Sequence, residues 1–257
     1  MTRTRWTLPI AALLLAAALT GCGDDGDGGG DGGDGDGGDK TSGADFAAKS
    51  AEEISDEVKK VMGDLEAVTI DGTLTSGDQE FDISVSVGAG GDCTGQFETQ
   101  GASTEILGVG DTTWIRPDEK FWELSVGPEK APQVIADAGD KWVTLPDDDT
   151  TFKPYCDLED FLAKLVGNTD ATYTKGETKE IDGEETIEII SDRPEDGTTS
   201  SGYVLVDGEH YLVQISKTEG SDPGEVSFSG FDEKPDVEAP AEDEQVTVAE
   251  LEAGGSY

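Results

Sequence analysis

Three cysteines, one histidine and 58 acidic side chains are the groups of this 257-residue chain with chemistry to offer. Cys22 stands between an apolar stretch and a run of Gly and Asp. Cys93 and Cys156 stand far apart, and neither belongs to a Cys-x-x-Cys pair, so redox catalysis has no motif here. His210 follows the turn pair Asp207-Gly208, where an exposed surface histidine is expected. The sequence has no Gly-x-Ser-x-Gly, His-Glu-x-x-His, Ser-x-x-Lys or phosphate-cradling glycine loop. Acidic pairs occur throughout, so none singles out a glycosidase site. With one histidine and three cysteines, a zinc site has too few ligands. The chain reads as non-catalytic, with no metal and no cofactor called for.

Cys22 gains meaning from what precedes it. Arg3 and Arg5 supply a positive start. Leu8 to Leu19 is apolar except for Pro9, too short to span a bilayer and shaped like a signal core. Leu19-Thr20-Gly21-Cys22 then resembles the lipobox of bacterial lipoproteins. That resemblance implies a signal peptide over 1–21, diacylglycerol on the Cys22 thiol, and Cys22 as the mature N-terminus.

Gly23 to Asp39 contains only Gly and Asp, has nothing apolar to bury and repels itself, so it reads as a disordered tether. Continued to Gly43 it has an end-to-end distance of about 25 Å as a flexible coil. Calcium is the rival reading. Gly29-Gly30-Asp31-Gly32-Gly33-Asp34 matches the start of a calcium β-helix repeat, but Gly35 stands where that repeat needs an apolar residue. No Glu closes an EF-hand loop either.

The formal charge is -41. A chain so acidic has no basic face for phosphates, which excludes nucleic acid as a partner. It is equally unsuited to electrostatic attachment to anionic lipid heads. Attachment to the membrane must come from acylated Cys22, on the extracytoplasmic face. In that oxidising setting Cys93 and Cys156 are an even pair and are expected to join.

Between the tether and a C-terminal acidic tail (241–257) lies one domain's worth of sequence, 44–240. Ile54, Val58, Val61, Met62 and Leu65 make one helical stripe. The period then changes to two: Val68, Ile70 and Leu74, then Phe81, Ile83, Val85 and Val87, joined by the turn residues Thr75 to Asp78. Cys93–Thr99, Thr104–Val109 and Thr112–Arg116 continue the strands. Glu119 to Ala138 is helical with a break near Gly127-Pro128. Lys141–Leu145 is a strand, and Asp157 caps a helix whose stripe is Leu158, Phe161, Leu162 and Leu165. Strands return at 171–178, 185–190, 202–206, 211–215 and 225–231, with Asp182-Gly183 and Asp207-Gly208 as hairpin turns. From Asp236 the chain is loose and acidic, with Val246 to Leu251 able to dock as a short element.

One-sided antiparallel strands need a cover, and a long twisted meander with few helices curls around them. The expected fold class is therefore α+β: an open, strongly curved antiparallel half-barrel with a few helices on its concave side. The helix running into Val68-Thr69-Ile70-Asp71-Gly72, the run Ile106 to Ile115, Phe121-Trp122 and Gly139 to Val143, together with the lipobox, resemble the LppX/LprG-type lipoproteins of actinobacteria. These share a fold with the LolA and LolB carriers. The resemblance implies an apolar cavity that carries an acylated lipid or glycolipid. The Cys93/Cys156 pair departs from the family pattern.

Candidate cavity walls are Val58 and Leu65 on the first helix, Ile83 and Val85 on the sheet, and Phe161 on the later helix. Trp114, Phe121, Trp122 and Trp142 are either cavity lining or plain core. Two functions fit: a carrier with an empty apolar cavity, or an interaction or sensor module with a filled core that contacts another envelope protein. Internal volume separates them.

Overall fold

The computed structural model describes residues 43–76, 79–166, 171–195, 197–219 and 223–254. The signal, Cys22 and the Gly/Asp tether lie outside the described residues. Two helices open the described chain, α1 (Gly43–Ala48) and α2 (Ala51–Gly63). Ser50 is the N-cap of α2. Its hydroxyl accepts from the Glu53 N–H at 3.3 Å, while the Glu53 carboxylate accepts from the Ser50 N–H at 2.8 Å. This reciprocal capping box satisfies two donors that a helix start leaves unpaired.

Five strands follow: β1 (Ala67–Ser76), β2 (Gln79–Gly88), β3 (Cys93–Thr99), β4 (Ala102–Val109) and β5 (Thr112–Pro117). Helices α3 (Glu119–Val126) and α4 (Ala131–Ala138) lead to the short strand β6 (Trp142–Thr144), and helix α5 (Leu158–Val166) comes after it. Strands β7 (Thr172–Ile181), β8 (Glu184–Arg193), β9 (Thr198–Leu205), β10 (Leu212–Glu219) and β11 (Gly224–Ser229) complete the meander. The chain closes with β12 (Gln245–Thr247) and α6 (Val248–Gly254).

All twelve strands form one sheet in the order β12-β6-β5-β4-β3-β2-β1-β11-β10-β9-β8-β7. It does not close, and β12 against β6 is its one parallel pair among the described strands. The fold is the expected α+β open half-barrel. Period two decides its inner face: Ile83, Val85 and Val87 on β2, with Ala102, Thr104 and Ile106 on β4, are buried, while Asp82, Ser84 and Glu105 face out. Tight curvature shows at Gly72 and Gly95. A Cβ on Gly72 would lie 2.2 Å from the Glu225 carbonyl oxygen, and one on Gly95 would lie 2.2 Å from that of Ser84. Neighbouring backbone occupies the space of a side chain, so the sheet bends there because these residues have none.

The helices press on the inner face in two groups. α2 meets β7, β8 and α5, while α3 meets β4, β5 and α4. Their apolar residues join the strands in one continuous core that includes Ile54, Met62, Val68, Ile106, Trp122 and Leu162. The break at Gly127-Pro128 separates α3 from α4 as expected. Asp157 caps α5 through the Asp160 N–H at 3.0 Å.

Three details differ from the sequence reading. α1 precedes the helix expected to be first, and Leu65 lies beyond α2, whose C-cap is Asp64. The apolar stripe continues past the helix because the chain there already turns toward β1. Asp182-Gly183 makes a tight turn with both residues at positive φ (52° and 90°), which suits a hairpin of this twist. Asp207-Gly208 instead sits inside a wider connection from Leu205 to Leu212, and that width lets His210 fold inward.

The third difference is the extent of the tail's packing: Val246 to Leu251 dock as the sequence allowed, and the acidic residues before them pack as well. Residues 242–254 pack onto the domain: β12 pairs with β6, α6 packs against α4, and Leu251 is buried. Thr247 and Glu250 cap α6 as Ser50 and Glu53 cap α2. Within this acidic composition the apolar positions Val246, Val248 and Leu251 suffice to seat an edge strand and a short helix.

Candidate functional site

Cys93 and Cys156 are joined in a disulfide that ties β3 to the segment before α5. Both are buried. Gly108 on β4 is paired with Cys93, and a Cβ there would lie 2.8 Å from Cys93 Sγ and 3.0 Å from Cys156 Sγ. The bond therefore needs a bare backbone on the neighbouring strand. Beside it, Phe97, Phe121, Phe152, Tyr155 and Phe161 form a chain of ring contacts with centroids 4.7–6.1 Å apart. Burial pushes the Tyr155 phenol above its ordinary range.

The disulfide and α5 form one side of a cleft of about 1190 Å³. The end of α2 and the turns between β2 and β3 and between β4 and β5 form the rest. Buried Leu65, Leu158 and Leu162 lie toward its floor. Exposed Asp111, Asp147, Glu159 and Asp160 lie at its rim, with Lys59 and Lys153. Lys59 Nζ lies 4.9 Å from the centre of the Tyr173 ring, and Lys153 pairs with Asp147 at 3.7 Å.

The expected cavity walls come together, but as core. Val58, Leu65, Ile83, Val85 and Phe161 are all buried in the one cluster, and of the five only Leu65 borders the cleft. Trp114, Phe121 and Trp122 are buried. Trp142 lies on the sheet's outer face, with the Arg116 guanidinium 4.5 Å from its ring centre, and borders a second groove of about 620 Å³ with Asp82, Gln96 and Glu98. The cleft was not foreseen, because its floor comes from α2, α5 and two turns that no spacing rule brings together. Leu158 and Leu162 at i, i+4 were the one available signal.

His210 corrects the expectation of an exposed surface residue. It is 5% exposed, with Nδ1 3.1 Å from the Leu205 carbonyl and Nε2 4.0 Å from Glu57. Glu57 also pairs with Lys49. Among the described residues no group of three or more His, Cys, Asp or Glu side chains is placed to hold a metal, and no helix is long and apolar enough to cross a membrane.

No protein-family model matches the chain, and no curated protein matches it. Solved structures do. LprF from Mycobacterium bovis is 14% identical with a TM-score of 0.54, over 74% of this chain and 97% of that one. The lipoprotein LppX from Mycobacterium tuberculosis is 16% identical with a TM-score of 0.46, over 73% of this chain and 98% of that one. The likeness to LprF carries the conclusion: this chain has the open half-barrel fold of the LppX/LprG type.

Proposed function

We propose that this protein is an extracytoplasmic lipoprotein, held to the cell membrane through acylated Cys22 at the end of the 22–43 tether, and that its domain binds an acylated lipid in the cleft between α2 and α5. The cleft carries the reading. It exceeds the roughly 300–1,000 Å³ of an ordinary small-ligand pocket, and its floor is apolar and buried. Each CH₂ of an acyl chain buried there contributes about 0.8 kcal/mol. The LprF fold and the lipobox resemblance support the same reading. Feeding cells a palmitate analogue tests the anchor: it should label the wild type and not Cys22→Ala, and equal labelling would refute it. Uptake of a fluorescent acyl probe tests the ligand, and should fall in Ala163→Trp. Ala163 is an exposed α5 residue on the cleft, so an indole there fills the space without entering the core.

One observation favours a second reading. Val58, Ile83, Val85 and Phe161 lie in a single packed cluster. A filled interior suits a module that contacts another envelope protein through its surface. An acyl probe that never binds, with the fold intact, would put this reading first.

A further inference from the structure

We infer that His210 is a pH-sensitive clasp: its imidazolium holds α1 and α2 to the β9–β10 connection, and the hold slackens when the ring loses its proton. The ring is buried, at 5% exposed, and belongs to the one histidine of the chain. Three parts of the fold meet on it. Phe46 of α1 covers its face, with centroids 3.6 Å apart. Glu57 of α2 brings Oε1 to 4.0 Å from Nε2. The Leu205 carbonyl, at the end of β9, lies 3.1 Å from Nδ1.

The Leu205 contact fixes which nitrogen titrates. A carbonyl only accepts, so Nδ1 carries a proton in either charge state of the ring. Nε2 is then the atom that gains or loses one. In the neutral ring its lone pair meets the Glu57 carboxylate; in the imidazolium an N–H meets it. Lys49 pairs with the other carboxylate oxygen, Oε2, which leaves Oε1 on the imidazole side. Phe46 adds to the difference, because an aromatic face attracts a cation stacked on it. Burial alone favours the neutral ring. The charges around it work the other way. The carboxylates of Glu57 on α2, Asp45 on α1, and Asp207 and Glu209 on the connection outnumber the ammonium groups of Lys49 and Lys175. Lys175, moreover, is turned to the carbonyls of Ala47 and Lys49. A proton bound more firmly by the folded than by the unfolded chain stabilises the fold below the imidazole range, and that contribution is lost as the pH rises through it. Acidification therefore tightens the two helices that open the domain.

Full-length wild type and Glu57→Gln in neutral detergent are unfolded with urea at about pH 8 and about pH 5.5, on either side of the imidazole range. Glu57→Gln keeps the shape of the side chain, and its loss of the Lys49 pair counts equally at both pH values. The ratio of the two unfolding constants should favour the wild type at least about threefold more at the acid pH. In a His210→Phe background, which keeps a ring on Phe46, that gain should vanish. Proton NMR follows the titration itself: the ring signal of the single imidazole should reach its midpoint at a lower pH in Glu57→Gln than in the wild type. A ratio that is the same at both pH values would overturn the clasp, and so would one that is larger at the alkaline pH. Should His210→Phe fail to fold, the Glu57→Gln ratio and the NMR titration decide the matter without it.

Discussion

The imidazole of His210 lies face to face on the ring of Phe46, with centroids 3.6 Å apart and planes 2° apart. Phe46 is fully buried on α1, the first described helix, and His210 sits in the β9–β10 connection. Lys175 on β7 adds a clasp, donating to the carbonyls of Ala47 at 2.6 Å and Lys49 at 2.8 Å. The entry of the chain is thus pinned to the sheet. Phe46→Ala should destabilise the domain by about 3–5 kcal/mol, read by urea unfolding. A loss below about 1 kcal/mol would mean that α1 is not part of the cooperative unit.

The Cys93–Cys156 bond closes a loop of 63 residues, for which the chain-entropy model gives about 4 kcal/mol. Non-reducing peptide mapping should recover the joined pair, and Cys93→Ser should cost about 2–5 kcal/mol. Gly108→Ala should cost about 1–3 kcal/mol by crowding both sulfurs and the Gly91 carbonyl oxygen, which would lie 2.6 Å from the added Cβ, so part of the cost should remain in a Cys93→Ser background. Two freely alkylatable thiols in the exported protein would contradict the pairing.

The capping box at Ser50 predicts a pH dependence. The Ser50 backbone N–H and then its hydroxyl hold the Glu53 carboxyl below its ordinary 4.5. A carboxyl whose folded value is depressed stabilises the fold above the unfolded value and loses that contribution as the pH falls below it. Glu53→Ala, which removes the carboxylate that the Ser50 N–H holds, should therefore destabilise the fold near neutral pH, read by urea unfolding. The difference from wild type should narrow below pH 4.5. A difference that does not change across that range would rule out the Glu53 half of the box.

Trp114 donates its indole N–H to Gln245 Oε1 at 3.0 Å, and Gln245 Nε2 in turn donates to the Pro240 carbonyl at 2.6 Å. Removing 241–257 should expose Trp114, shift tryptophan emission to the red and lower the midpoint of thermal unfolding. In a Trp114→Phe background the red shift should be largely absent. Unchanged emission and stability would make the tail dispensable.

Local rules carried most of the architecture. Alternation in Phe81 to Val87 set both strand and inner face, and Asp182-Gly183 set a turn, because these signals depend on neighbours in sequence. With Cys22 assigned to the anchor, the two cysteines left over pointed to the disulfide. What local rules missed depends on distant partners. His210 is buried because Phe46, 164 positions away, receives it. The docking of Val246 to Leu251 was legible, but not its place, the edge that β6 offers. The cavity positions were chosen as apolar and inward-facing, a property that packed core and cavity wall share, so spacing alone cannot tell Val85 from Leu65. Only the placement of α5 against α2 does.

That distinction can be measured directly. The full-length wild type, Ala163→Trp and Val85→Trp are extracted from their native membrane and weighed by native mass spectrometry, alongside their unfolding midpoints. The account predicts an acylated lipid on the wild type and a loss of that lipid in Ala163→Trp at unchanged stability. It predicts for Val85→Trp a destabilisation of about 1–3 kcal/mol, because position 85 is packed core. A wild type that carries no lipid, or an Ala163→Trp protein that carries as much as the wild type, would contradict the α2–α5 cleft as the binding site.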